Sequence, residues 1–255
     1  VELFGPLVGL GEEWKAQGTV TPPETQSHKH YAFYPNLTHI IEYWCFENLN
    51  KAKLSNLILN MHSRINCIFV PGYYVQEAVN QTQKGDVKVG AVIGREASLD
   101  SHQSKLTAAC HAIESGARQI AVVSNTAAIK ECDYSQVFIE LENIVHFVQN
   151  PPKKVGVTAV LESATLNFEH LVLAFLICVQ SGIYQFQLSS PHDGIHIQYK
   201  HLSLLKWLVK NCFPRSKKVQ IKIACSVEKK SEMSSLHNWG ASKLVLCAPS
   251  NLFVS

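Results

Sequence analysis

Ser181-Gly182-Ile183-Tyr184-Gln185-Phe186-Gln187-Leu188-Ser189-Ser190 is the stretch on which the reading of this chain turns. It reads as the end of a helix, a short loop and a buried strand. Upstream, Leu171, Ala174, Phe175 and Cys178 recur at helical spacing, and downstream Leu202, Leu205 and Leu208 do the same. The strand itself is short, apolar and aromatic, the pattern of a strand covered on both faces.

The same alternation runs along most of the chain. Short apolar or β-branched runs fall at residues 37–41, 67–70, 87–93, 120–124, 155–161, 183–188, 219–224 and 243–247. Amphipathic segments lie between them, such as Leu106, Ala109, Cys110 and Ile113. Eight strands separated by helices predict an α/β protein, either a (β/α)8 barrel or a doubly wound open sheet. Residues 1–35 break the rhythm with Gly5, Gly9, Gly11, Pro22 and Pro23 and read as an irregular N-terminal extension, with at most a short helix at 12–16. Only residues 249–255 follow the last strand, so the final helix reads as cut short.

Composition narrows the function classes. The chain has 255 residues, enough for one large barrel, and a net charge of +3, too small to argue for nucleic acid or a membrane surface. No apolar helix is long enough to span a bilayer, and no signal peptide is read. The eight cysteines, at 45, 67, 110, 132, 178, 212, 225 and 247, stand singly without a C-x-x-C pair. They read as small buried residues of a reducing compartment, and a cytoplasmic location is expected. The twelve histidines show no metal-ligand spacing, so no metal site is expected. His28-Lys29-His30 and His192-Asp193 read as solvated loops, and the lysine-rich runs at 215–218 and 229–230 as solvated faces.

The opening stretch resembles the A-G-A-D-F-(I/V)-K-T-S-T run of the deoxyribose-phosphate aldolase family, with further matches in order. Val89-Gly90-Ala91-Val92-Ile93-Gly94 is similar to V-A-T-V-V-G, and Ala112-Ile113-Glu114-Ser115-Gly116-Ala117 to A-I-E-D-G-A. Val160-Leu161-Glu162 is similar to V-I-L-E, and Gly240-Ala241-Ser242 to the G-A-D before the last strand. The resemblance covers residues 36–249. It implies a TIM barrel at 36–255, after the extension at 1–35, and an aldol cleavage of deoxyribose 5-phosphate through a lysine imine, with no metal or organic cofactor.

The functional residues of that family match this sequence unevenly. The Schiff-base lysine falls on Gln187, whose amide nitrogen is delocalised into its carbonyl and is no amine nucleophile. The aspartate of E-(I/V)-D-x-V falls on Ala121, which can neither take nor give a proton. The lysine of V-G-(V/F)-K-x-(S/A)-G-G is retained as Lys222, and Glu162 keeps its carboxylate. The phosphate cradle is degenerate. Its G-G pair is Cys225-Ser226, and its T-S-S-G turn is Leu246-Cys247-Ala248-Pro249, where Cβ atoms and a missing N–H oppose close backbone approach. Ser189 and Ser190 keep hydroxyls after the lost lysine. G-F-P-x-G becomes Gly94-Arg95-Glu96-Ala97-Ser98, and D-x-T falls on Asn36-Leu37-Thr38, a further lost carboxylate.

The resemblance therefore implies a barrel that has lost the aldol reaction and acts through binding, to a protein partner or to a small anion. A cytoskeletal partner enters only by analogy with other aldolases on this barrel that bind actin. The alternative is an active lyase that uses Lys222. For Lys222 itself the simplest expectation is a buried ammonium kept charged by Glu162. The others are a substitute imine-forming amine and a fixed charge for an anionic ligand.

Overall fold

The computed structural model describes residues 40–45, 49–61, 65–82, 87–94, 100–149, 155–190, 199–213, 219–225 and 230–246. The extension at 1–35, the segments 95–98, 191–193, 215–218 and 226–229, and the end of the chain from 247 lie outside them. Eight parallel strands close on themselves in chain order, so the barrel is the fold and the open sheet is not. The strands are β1 (Ile41–Trp44), β2 (Cys67–Val70), β3 (Lys88–Ile93), β4 (Gln119–Val123), β5 (Gly156–Leu161), β6 (Gln185–Leu188), β7 (Gln220–Ala224) and β8 (Lys243–Leu246). The helices are α1 (Lys51–Met61), α2 (Val75–Thr82), α3 (His102–Glu114), α4 (Thr126–Lys130), α5 (Tyr134–Gln149), α6 (Phe168–Gln180), α7 (Tyr199–Cys212) and α8 (Lys230–Asn238). Among the described residues no helix is long and apolar enough to cross a membrane.

Local chemistry sets the element ends. Asn167 caps α6 by accepting from the His170 N–H at 2.7 Å, as Ser101 and Asn125 cap α3 and α4. Gly182 ends α6 at φ +89°, a conformation that costs glycine no Cβ clash, and the Ile183 N–H then returns to the Cys178 carbonyl at 2.9 Å. The chain is thereby turned straight into β6, and the same closure follows α3. Leu171 to Cys178 are all buried, and Phe175 meets Phe186 of β6 at 4.5 Å between ring centroids. A buried ion pair ties the neighbouring layer. Lys105 Nζ of α3 donates to Glu140 Oε1 of α5 at 2.6 Å and to the Val123 carbonyl at 3.0 Å.

Seven strands lie within two residues of their expected places. The first does not: the described strand is Ile41–Trp44, which meets the expected 37–41 only at Ile41. The reason is a charge. Glu42 interrupts the apolar run, yet it is wholly buried within the strand.

Parallel pairing puts one parity of each strand into the barrel. Trp44 is in register with Phe69, Phe69 with Gly90, Val92 with Ala121, Val123 with Val160, Val160 with Gln187, and Ala224 with Val245. Trp44, Cys67, Phe69, Ala121, Val123, Val160, Ala224 and Val245 form an apolar cluster separate from the larger core between strands and helices. Phe69 can occupy this interior because Gly90 lacks a side chain. A Cβ there would stand 2.6 Å from the Phe69 ring. Gly90→Ala is therefore expected to cost about 1–3 kcal/mol through overpacking, read as a lower urea midpoint at unchanged m-value.

Candidate functional site

A (β/α)8 barrel works at the C-terminal end of its strands. In this chain two levels of the interior differ in chemistry. The deeper level is polar. Glu42 on β1, Thr158 on β5, Lys222 on β7 and Lys243 at the start of β8 converge there. Lys222 Nζ donates to Glu42 Oε1 at 3.0 Å, to Glu42 Oε2 at 2.9 Å and to Thr158 Oγ1 at 2.9 Å. These are all three donors of an ammonium. Lys243 Nζ adds a bond to Glu42 Oε1 at 2.7 Å and another to Asn66 Oδ1 at 2.7 Å. Lys222 and Glu42 are 0% exposed. Burial alone would raise the Glu42 carboxyl, but the two ammoniums outweigh it and hold its pKa below the ordinary value. Burial lowers the Lys222 pKa, with Glu42 pulling the other way. The neighbouring Cys67 thiol is pushed up by burial.

The level above is apolar and aromatic. Trp44 ends β1 and lies 5.7 Å from Phe69 between ring centroids, at a tilt of 46°. The Phe69 ring in turn stands 5.8 Å from Lys222 Nζ. Ala121, Val160 and Ala224 pack around the two rings. An indole and a phenyl ring thus pack among inward residues of β4, β5, β7 and β8.

The expected site residues divide accordingly. Gln187 and Lys222 are register partners on adjacent strands and share the inward face. Ala121 is buried in the apolar cluster. The Gln187 Nε2 amide donates to the Ser189 carbonyl at 3.1 Å, while its Oε1 is buried without a partner. Ser189 stands at φ +61°, and its hydroxyl meets Ser163 Oγ at 3.0 Å. The Ser190 N–H donates to Glu162 Oε2 at 3.1 Å. Cys225 directly follows β7, is buried, and donates its N–H to the Val245 carbonyl at 2.9 Å. Ser226, Cys247, Ala248 and Pro249 lie outside the described residues, as does Asn36-Leu37-Thr38.

One expectation is corrected. Lys222 is paired with Glu42, not Glu162. Thr158, at the level of Lys222, and Glu162 are four residues apart along the chain, or roughly 13 Å of extended strand, so Glu162 caps the end of β5 instead. The first strand carries a carboxylate, Glu42, that sequence reasoning missed. The signal was present: a lone acid inside an aromatic and aliphatic strand requires a buried cation, and few strand positions supply one.

Comparison with known proteins agrees with this architecture. No family model matches the chain. It is 24% identical over 210 residues to deoxyribose-phosphate aldolase 2 of Oceanobacillus iheyensis, covering 82% of this chain and 90% of that protein. It is 29% identical over 173 residues to the deoxyribose-phosphate aldolase of Thermosynechococcus vestitus, covering 67% and 73%. Among solved structures, the aldolase QR15 superposes with a TM-score of 0.74 at 22% identity, over 84% of this chain and 92% of that one. The tetrameric deoxyribose phosphate aldolase of Aeropyrum pernix gives 0.73 at 18%, over 86% and 88%.

Proposed function

We propose that this chain, which is similar to deoxyribose-phosphate aldolases, is a member of that family that has lost the aldol reaction and acts through binding. The observation that carries this reading is the state of Lys222. It is the one amine in register with Gln187, and its three protons are committed to Glu42 and Thr158. An amine attacks a carbonyl only through a free lone pair, and a paired ammonium has none. Ala121 supplies no carboxylate for the proton transfers, and Trp44 and Phe69 fill the space above. Each feature alone could be bypassed by relocation. Together they oppose imine formation: the amine is paired, the carboxylate expected at Ala121 is absent, and two aromatic rings pack beside it.

The lyase reading has one observation in its favour, the downward pull of burial on the Lys222 pKa. The two readings separate in one experiment. Purified protein is incubated with deoxyribose 5-phosphate in a coupled assay, and in parallel with acetaldehyde and borohydride followed by peptide mass mapping. The expected result is no cleavage above background and no alkylated lysine in the barrel interior. Turnover together with a reduced adduct on Lys222 would establish the lyase. Mapping the adduct avoids relying on a Lys222 variant, which would leave Glu42 buried and unpaired.

A further inference from the structure

We propose that the N-terminal mouth of the barrel, where the strands begin, binds a phosphate-type dianion, free or carried on a small molecule. This end lies opposite the one at which a barrel enzyme works, so the inference stands apart from the fate of the aldol reaction. Strand register sets the site. Residues two apart on a strand share a face, so Gln220 lies on the inward face below Lys222, and Lys88 on that of Gly90. Gln185 is in register with Gln220 and with Thr158, and its Oε1 accepts from the inward Thr158 hydroxyl at 3.4 Å. Lys243, the first residue of β8, turns inward to Glu42 at 2.7 Å. Asn66, just before β2, accepts from the same ammonium at 2.7 Å. Strand starts around the barrel thus bring ammoniums and amides to one opening.

Charge at this mouth has one sign. Lys88, Lys222 and Lys243 are three ammoniums, and the carboxylate bonded among them is Glu42, with both oxygens taken by Lys222 and Lys243. Two positive charges are left over. Lys88 belongs to the same field: the Cys67 thiol, raised by burial, is pulled the other way by this ammonium. Donors are left over as well. Lys243 has used two of its three. Thr158 orients the Gln185 amide, and Lys243 the Asn66 amide, each through its oxygen, so both nitrogens remain to donate. The opening reaches solvent: Lys88 is exposed, the Lys243 side chain is 18% exposed, and Asn66, Gln185 and Gln220 are half-buried. Gln119 shares the ring with its Oε1 unpaired, and an amide opposes an anion in only one of its two orientations. A dianion accepting from Lys243, Lys88 and the amides would offset the surplus charge through charge-assisted bonds. An uncharged sugar would leave that surplus in place, and a cation would add to it.

The test uses the full chain, with ionic strength held constant by sodium chloride so that screening is the same throughout. Binding of inorganic phosphate and of glycerol 3-phosphate is measured by titration calorimetry for the natural protein, Lys88→Gln and Lys243→Gln. The expected result is saturable binding of one equivalent of phosphate, weakened about tenfold or more by Lys243→Gln and about threefold or more by Lys88→Gln. Bound phosphate should also protect Lys88 from acetic anhydride, read by peptide mass mapping. Lys88 is exposed, so Lys88→Gln and the labelling carry the test even if Lys243→Gln fails to fold. Binding of the ester as well as the ion would assign the mouth to phosphorylated small molecules. Binding of the ion alone would assign it to free phosphate, and either supports the proposal. Three results would each overturn it: no saturable phosphate binding, Lys88 labelled equally with and without phosphate, or an affinity unchanged in any variant that folds. The last would move the phosphate to the turns after β7 and β8. Aldolase turnover is read in a separate assay, and neither of its outcomes alters these.

Discussion

Glu42→Ala is expected to destabilise this protein by about 3–5 kcal/mol, the cost of leaving a buried charge without its partner. Lys222 would lose two of its three acceptors at a position that is 0% exposed. Lys243, whose side chain is 18% exposed, would lose the same carboxylate but can turn to water. The double variant Glu42→Leu with Lys222→Met is the informative control. Replacing a whole buried pair by apolar residues of similar volume is often neutral or stabilising, so the double variant should recover most of the loss. The pair also predicts a pH dependence. The folded-state pKa of Glu42 is depressed, so its contribution is present above the ordinary carboxylate value of 4.5 and is lost as pH falls through the folded value. Urea midpoints measured from neutral to acid pH should therefore fall more steeply for the natural chain than for the double variant. A single variant as stable as the natural protein would mean that Lys222 is neutral in the folded state. That would return it to consideration as a nucleophile.

Gln187→Lys combined with Ala121→Asp is expected to leave aldolase efficiency at least 10²-fold short of an authentic enzyme. The new amine would stand in register with Lys222, so imine formation with a small aldehyde becomes feasible and should be visible by borohydride trapping. The new carboxylate would restore a proton carrier, a contribution of about 10²–10⁴-fold. What remains is space. Trp44 and Phe69 occupy the interior beside Ala121, Val160 and Ala224. Entry of the substrate is expected to require these rings to move, and Cys225, Ser226 and Pro249, which follow β7 and β8 in the chain, fall where the resemblance to the family expects glycines. Adding Trp44→Thr should raise kcat/KM for deoxyribose 5-phosphate at least tenfold over the double variant, with a smaller effect on trapping by acetaldehyde, which needs little room. Family-level efficiency in the double variant alone would show that the aromatic pair does not obstruct the site and that the phosphate turns are intact.

The alternation of eight strands with helices was legible in the chain because parallel strands covered on both faces must be apolar runs, and because glycines such as Gly116 and Gly182 mark where α3 and α6 give way to strands. That pattern left the open sheet possible, and the resemblance to the aldolase family is what favoured the closed barrel. The one displaced strand, β1, was hidden by the same logic. Glu42 broke the apolar pattern that identifies a buried strand, and the pattern carries no mark for a charge that a distant lysine neutralises.

The sequence by itself determined the chemical identity of the groups on the inward strand positions: an amide at Gln187, a methyl at Ala121 and an amine at Lys222. Strand parity and family spacing are local properties, and they suffice to place those groups on one face. Only the tertiary structure decided what the groups do to one another. Lys222 and Glu42 are 180 residues apart in the chain and meet because β7 and β1 close the same barrel. Trp44 reads as one more aromatic strand residue until the parallel register of β1 and β2 sets it beside Phe69. Charge pairing and side-chain stacking depend on which strands become neighbours around the barrel, and for β7, β8 and β1 that arrangement exists only once the sheet has closed.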